Sequence, residues 1–176
     1  FNPYTLYPTP YTLIANLPYY ITSPVIRKFL ETENPPKEMV LMVQKEVAQR
    51  ICAKPPHMNM LAVAVQFYAI PKIISYVSKN SFWPQPKVDS AIIKITPTSK
   101  KSEMLFLRLQ GGVIFQLVKA GFSSKRKQLI NSLSKGLNLN KETTKNLLNK
   151  AKINPNARAE NLTIENWLKL YENYKK

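Results

Sequence analysis

Apolar residues recur in short blocks along the first hundred positions and at helical spacing along the rest. Tyr11 to Ala15 is a compact β-favouring run bounded by Pro10 and by Asn16-Leu17-Pro18, which predicts a buried strand that stops abruptly. Thr22-Ser23-Pro24 then offers capping side chains and a proline suited to a first helical turn, with Val25, Ile26, Phe29 and Leu30 at helical spacing behind it. Glu38 to Val43 predicts a second strand, and Lys45 to Ala53 a helix with Val47, Ala48 and Ile51 on one face, ended by Pro55-Pro56. Leu61 to Ala69 is mostly apolar and suits helix or strand. Lys72 to Val77 and Val88 to Ile95 alternate as strands, and the proline-rich Trp83-Pro84-Gln85-Pro86 between them predicts antiparallel neighbours.

Beyond Thr96-Pro97-Thr98-Ser99 the β-like runs vanish. Helices are predicted near 103–119, 124–135, 141–151 and 164–174, with Thr163 capping the last. A boundary near residue 100, marked by the basic pair Lys100-Lys101, divides an α/β part, 1–98, from an all-helical part, 99–176. Charge divides there too. Residues 1–98 hold 10 basic and 5 acidic side chains, and 99–176 hold 16 and 5, so the helical part carries net +11 of the total +16.

That charge, with a pI near 9.9, points to a polyanionic partner, nucleic acid first, and more strongly for the helical part. The 176 residues have neither a long uncharged apolar stretch nor a basic-then-apolar leader, and the single cysteine, Cys52, forms no internal disulfide. A reducing, cytoplasmic setting is expected. The chain opens on Phe1, which suggests a fragment or a processed product. The 4 glycines all lie at or beyond Gly111, so no glycine-rich phosphate-cradling loop is encoded before it. His57 is the only histidine, in a Pro-Pro-His-Met-Asn stretch expected to be an exposed loop, and no metal site is expected.

The chemistry gathers at the end of the first strand. Asn16-Leu17-Pro18-Tyr19 joins an amide, a proline that restricts the backbone before it, and an aromatic ring, where open α/β sheets put ligands. Methyl transfer to an exocyclic base amine wants this set, because the amine lone pair is delocalised into the ring. The Asn16 amide oxygen and the Leu17 carbonyl can accept its two N–H bonds and favour the tetrahedral, nucleophilic geometry, while Tyr19 stacks on the ring. A turn with a packed tyrosine has the same four residues. Phe82-Trp83-Pro84-Gln85-Pro86-Lys87-Val88-Asp89-Ser90-Ala91 supplies a stiff loop that offers Phe82 as the opposite stacking face. Lys125, Arg126 and Lys127, expected at a helix start where the dipole disfavours cations, suit phosphate binding or a solvated basic face.

These two segments, together with Gln44-Lys45-Glu46-Val47-Ala48-Gln49-Arg50-Ile51, Phe122-Ser123-Ser124-Lys125-Arg126-Lys127-Gln128-Leu129 with Asn131-Ser132-Leu133, and Arg158-Ala159-Glu160-Asn161-Leu162, resemble the ribosomal-RNA adenine dimethyltransferase family. Leu17 and the second and last segments are similar to the branch acting on adjacent adenines of small-subunit (16S) RNA. The resemblance implies an α/β fold: the second half of a Rossmann-like S-adenosylmethionine-dependent methyltransferase sheet, followed by a small all-α RNA-binding domain. It implies S-adenosylmethionine as methyl donor, no metal, and as partner small-subunit ribosomal RNA or its assembling particle, with no membrane and a monomer at full length. It gives catalytic roles to Asn16, Leu17, Pro18, Tyr19 and Phe82, with Asn16 also bordering the donor, and RNA contacts to Lys119, Lys125, Arg126, Lys127 and Arg158. The family's glycine-rich donor turn and its acids belong ahead of Asn16, where only fifteen residues stand and the first acid is Glu31. Most of the donor site is therefore expected to be missing, and the piece alone inactive. Pro55 to Met60 also departs from the family, which carries a glycine and a basic residue before the leucine. Two other readings compete: a non-catalytic RNA-binding or ribosome-assembly module, and a DNA amine methyltransferase.

Overall fold

The computed structural model describes residues 10–32, 34–98, 112–124 and 126–174. They fall into two compact units, one drawn from Phe1–Cys52 and Tyr68–Ser99, the other from Ala53–Phe67 and Lys100–Lys176.

The first unit is a mixed four-stranded sheet ordered β1-β2-β4-β3, from β1 (Thr12–Asn16), β2 (Glu38–Gln44), β3 (Ala69–Val77) and β4 (Ser90–Pro97). β1 runs parallel to β2, which demands a crossover, and α1 (Thr22–Leu30) supplies it. β4 is antiparallel to both β2 and β3, so the expected pairing of the last two strands holds. Alternation explains the central strands: Met39, Leu41 and Val43 of β2 and Ala91, Ile93 and Ile95 of β4 are buried, with intervening residues mostly half-exposed. Ile26 and Leu30 of α1 and Ala48 and Ile51 of α2 (Lys45–Ile51) are buried with them.

In the second unit α3 (Met60–Gln66) resolves the ambiguous apolar run as helix, with the Asn59 side chain accepting from the Ala62 N–H at 3.0 Å. It joins α4 (residues 112–121), α5 (Leu129–Gly136), α6 (Lys141–Lys150) and α7 (Ile164–Tyr174). One core unites Ala62 and Val63 with Val118, Leu129, Leu133, Leu148, Trp167 and Leu170. Thr163 caps α7 as expected: its Oγ1 accepts from the Asn166 N–H at 3.2 Å and its N–H donates to Asn166 Oδ1 at 3.0 Å.

Four expectations need correction. The strand expected to be buried, β1, has no buried residue: its positions alternate between exposed and half-buried, and Ile14 is 76% exposed. The helix expected over 124–135 begins at Leu129, because the Leu129 and Ile130 N–H groups donate to the carbonyls of Ala157 and Pro155 and Lys127 is held in a turn by its N–H bond to Ser124. Arg126 and Lys127 precede the helix, so the dipole argument does not bear on them. Thr22 and Ser23 cap nothing: Thr22 lies inside α1, whose N-cap residue is Ile21. Of the helix expected over 103–119, residues 103–111 lie outside the described residues, as do Lys100, Lys101 and Lys125.

Two glycines allow close packing in the helical unit. A Cβ on Gly121 would run into the ring of Trp167, and one on Gly136 would meet the Ala120 Cα at 2.8 Å. At Gly112 the same atom meets nothing within 4 Å. Gly136→Ala is expected to destabilise the unit by about 1–3 kcal/mol through overpacking against backbone. Gly112→Ala is expected to be neutral or stabilising by up to about 1 kcal/mol. Urea unfolding of the two variants checks the contrast.

Candidate active site

β1 ends at Asn16 in register with Met42 of β2. The next N–H, that of Leu17, donates to the Met42 carbonyl at 3.3 Å, so the parallel pairing fixes where the chain leaves the sheet. Pro18 then turns it, and Tyr19–Ile21 forms one 3-10 turn closed by the Ile21 N–H bond to the Pro18 carbonyl at 3.1 Å. Tyr19 is half-buried, and its hydroxyl shares a 3.0 Å hydrogen bond with Ser90 Oγ, the buried first residue of β4. That bond holds the ring at its hydroxyl end.

The segment between β3 and β4 approaches from the other side of the same sheet end. Ser78 Oγ accepts from the Asn80 N–H at 3.2 Å, and the Gln85 amide donates to Asn80 Oδ1 at 2.6 Å. Asp89 anchors the segment three times. Its Oδ1 accepts from the Lys79 N–H at 3.1 Å, its Oδ2 faces Lys45 Nζ at 3.4 Å, and its carbonyl accepts from the Lys45 N–H at 3.0 Å. The Lys79 hydrogen bond, with smaller help from Lys45, holds the Asp89 carboxyl below the ordinary carboxylate range.

Asn16, Leu17, Pro18, Tyr19 and Phe82 thus line one cavity of about 350 Å³, with Met42, Pro84, Pro86 and Ser90. Asn16 is exposed and Phe82 half-buried. Among the described residues no hydrogen bond engages the Asn16 side-chain amide or the Leu17 carbonyl, and these two residues line the same space as Tyr19 and Phe82. Met42 was not singled out by the sequence, since it looks like an ordinary strand position; Asp89 and Ser90 lay within the Phe82–Ala91 segment without a role. Of the expected RNA contacts, Lys119 lies exposed on α4, Arg126 and Lys127 are exposed in the turn before α5, and Arg158 is exposed with its guanidinium 3.6 Å from Glu160. Lys125 lies outside the described residues. His57 is exposed, and burial pushes the Cys52 thiol above its ordinary range. The described residues contain no group of three potential metal ligands, and none of their helices is long and apolar enough to cross a membrane.

Because the Asp89 value is depressed in the fold, the stabilisation it brings is complete above about pH 4, the ordinary aspartate range, and is lost as pH falls through the depressed value. The protection of the Lys79 amide against hydrogen exchange, relative to a free peptide at the same pH, is expected to fall over that acid window. Asp89→Asn is expected to lower that protection at neutral pH and to remove its change over the acid window.

The model of the family described as ribosomal RNA adenine dimethylase matches residues 3–176. A protein of Dehalococcoides mccartyi named ribosomal RNA small subunit methyltransferase A is 47% identical over 170 residues, covering 94% of this chain and 56% of that protein. One of the same name from Clostridium botulinum is 44% identical over 165 residues, covering 90% and 57%. The chain therefore spans little more than half the length of these relatives. Among solved structures, a dimethyladenosine transferase from Plasmodium falciparum superposes with a TM-score of 0.76 at 27% identity, covering 94% of this chain and 67% of that one. The 23S rRNA methyltransferase ErmE, at a TM-score of 0.68 and 20% identity, shares the Rossmann-like methyltransferase fold. The matched model, extending over nearly every residue, and the identity to these relatives place the chain in the ribosomal RNA adenine dimethylase family.

Proposed function

We propose that this chain is the acceptor-side part of an enzyme that dimethylates the exocyclic amines of two adjacent adenines in small-subunit (16S) ribosomal RNA during ribosome assembly in the cytoplasm. The observation that carries this is the pairing, around one cavity, of two uncommitted acceptors, Asn16 Oδ1 and the Leu17 carbonyl, with two rings, Tyr19 and Phe82. An exocyclic amine has two N–H bonds to give. Two acceptors hold it, draw electron density toward nitrogen and orient its lone pair away from the ring plane. Stacking between Tyr19 and Phe82 offsets the few kcal/mol that leaving the RNA stack costs, at about 1–3 kcal/mol per base. Pro18 stiffens the turn that carries the Leu17 carbonyl.

The methyl donor in this reading is S-adenosylmethionine, which supplies an electrophilic sulfonium methyl. In this reading Asn16 borders it. With no glycine before Gly111 and no acid before Glu31, these 176 residues do not by themselves fit that donor, and alone they are expected to hold RNA without turnover. The helical unit belongs to RNA binding: Lys119, Arg126, Lys127 and Arg158 are exposed there, in a stretch of chain carrying net +11 with Lys125. The full-length enzyme is taken as a monomer acting on the ribosomal RNA or its assembling particle.

Calorimetric titration of the 176-residue chain with S-adenosylmethionine is expected to show no binding. In a full-length protein containing this chain, Asn16→Ala is expected to lower methyl transfer about a hundredfold or more while changing RNA affinity little, since the loss falls on the positioning of the amine. Wild-type turnover in that variant would remove the enzymatic reading and leave a non-catalytic RNA-binding module.

A further inference from the structure

Trp83 is 97% exposed, although its chain neighbours Phe82 and Pro84 both line the Asn16–Phe82 cavity. An indole is among the largest apolar groups a protein holds and is strongly buried on average, so a fully solvated one beside a ligand cavity calls for a ligand. Tyr20, which follows the cavity-lining Tyr19, is 86% exposed in the same way. Both pocket aromatics are thus followed by an aromatic residue turned to solvent.

The same β3–β4 segment also walls a second cavity of about 360 Å³, to which it contributes Lys79, Lys87 and Asp89, with Lys45 and Glu46 contributed by α2. Phe82, Pro84 and Pro86 face one cavity while Lys79 and Lys87 line the other, so the two spaces share this loop as a wall. Asp89 is already engaged by the Lys79 N–H and Lys45 Nζ. Among the described residues neither the Lys79 nor the Lys87 ammonium enters an ion pair. A cavity with three lysines, and with one of its two carboxylates neutralised from within, suits an anion. If the first cavity takes a base within a polynucleotide, the next nucleotide brings both a base and a phosphate to this loop.

We propose that Trp83 and the lysine-lined cavity form a second nucleotide subsite, in which the indole stacks on the base adjacent to the target adenine and Lys79 and Lys87 hold its phosphate. The inference rests on the adenine reading of the first cavity and adds where the RNA lies beyond it. The subsite takes any base, since stacking selects for a π face and not for an edge. It orders the strand at the mouth of the first cavity, so single-stranded or unpaired RNA is the form recognised.

Trp83 and Trp167 are the two tryptophans, and Trp167 is fully buried, so quencher-accessible emission reports on Trp83. Titrating the 176-residue chain with the trinucleotide ApApA is expected to quench that emission and shield it from acrylamide. By anisotropy of fluorescein-labelled ApApA, Trp83→Ala is expected to bind about tenfold more weakly and Trp83→Phe within about threefold of wild type, as a lost and a retained stack require. The Lys79→Ala/Lys87→Ala pair is expected to lower the slope of log affinity against log salt by about 0.7, one single-strand phosphate's worth. Wild-type affinity in Trp83→Ala together with weakened binding in Phe82→Ala overturns the subsite and leaves the base cavity standing. Weakened binding in Trp83→Ala with wild-type affinity in Phe82→Ala overturns the first cavity as a base site, and with it the placement proposed here.

Discussion

The carboxylate of Asp89 ties the β3–β4 segment to the start of α2, and the geometry of both cavities depends on that tie. Through the Lys79 N–H and Lys45 Nζ it holds the base of a loop whose tip carries Phe82, while the Asp89 carbonyl takes the Lys45 N–H and so fixes the β2–α2 junction against the start of β4. Loops position functional groups only as well as the scaffold holds them. Here an exposed carboxylate, kept ionised by a backbone hydrogen bond, does that work, with the Gln85–Asn80 bond stiffening the tip.

The opposing wall is held by a different interaction, the parallel register of β1 on β2. Because Asn16 pairs with Met42 and the Leu17 N–H donates back to the Met42 carbonyl, the amide and the Leu17 carbonyl leave the sheet at a defined point. Ser90 then joins the walls. It begins β4, it pairs with Gln44 of β2, and its hydroxyl meets that of Tyr19. In the proposed reading the amine is placed by acceptors held still beside stacking faces, since hydrogen bonding and stacking act on the base before any bond is made.

The helical unit is built differently. Its core centres on Trp167, against which Gly121 packs without a Cβ, and its outer surface carries exposed cations such as Lys119, Arg126 and Lys127. In the proposed reading, long-range attraction to RNA falls to this spread charge, and recognition of one base falls to the fixed contacts of the first unit.

Much of this was legible from the residues in order. Alternation in β2 and β4, helical spacing in α1, α6 and α7, and the Thr163–Asn166 cap are local, and local chemistry produced them as expected. Asn16-Leu17-Pro18-Tyr19 and the loop around Phe82 carried their chemistry in residue type alone, which is why the family could be named from the motifs. Non-local interactions decided the rest. The start of α5 moved to Leu129 because carbonyls from Pro155 and Ala157 capture its first amides, and the 53–67 segment clusters with the helical unit because Met58, Ala62 and Val63 find their core there. Ser90 and Asp89 acquired roles only when β4 was laid beside β2, and the Trp83 indole was known to be solvated only once every apolar neighbour had been placed. A sequence determines which groups are present and what each local stretch prefers; partners more than a few turns away are chosen by packing, so the walls of the cavities existed only in the tertiary structure.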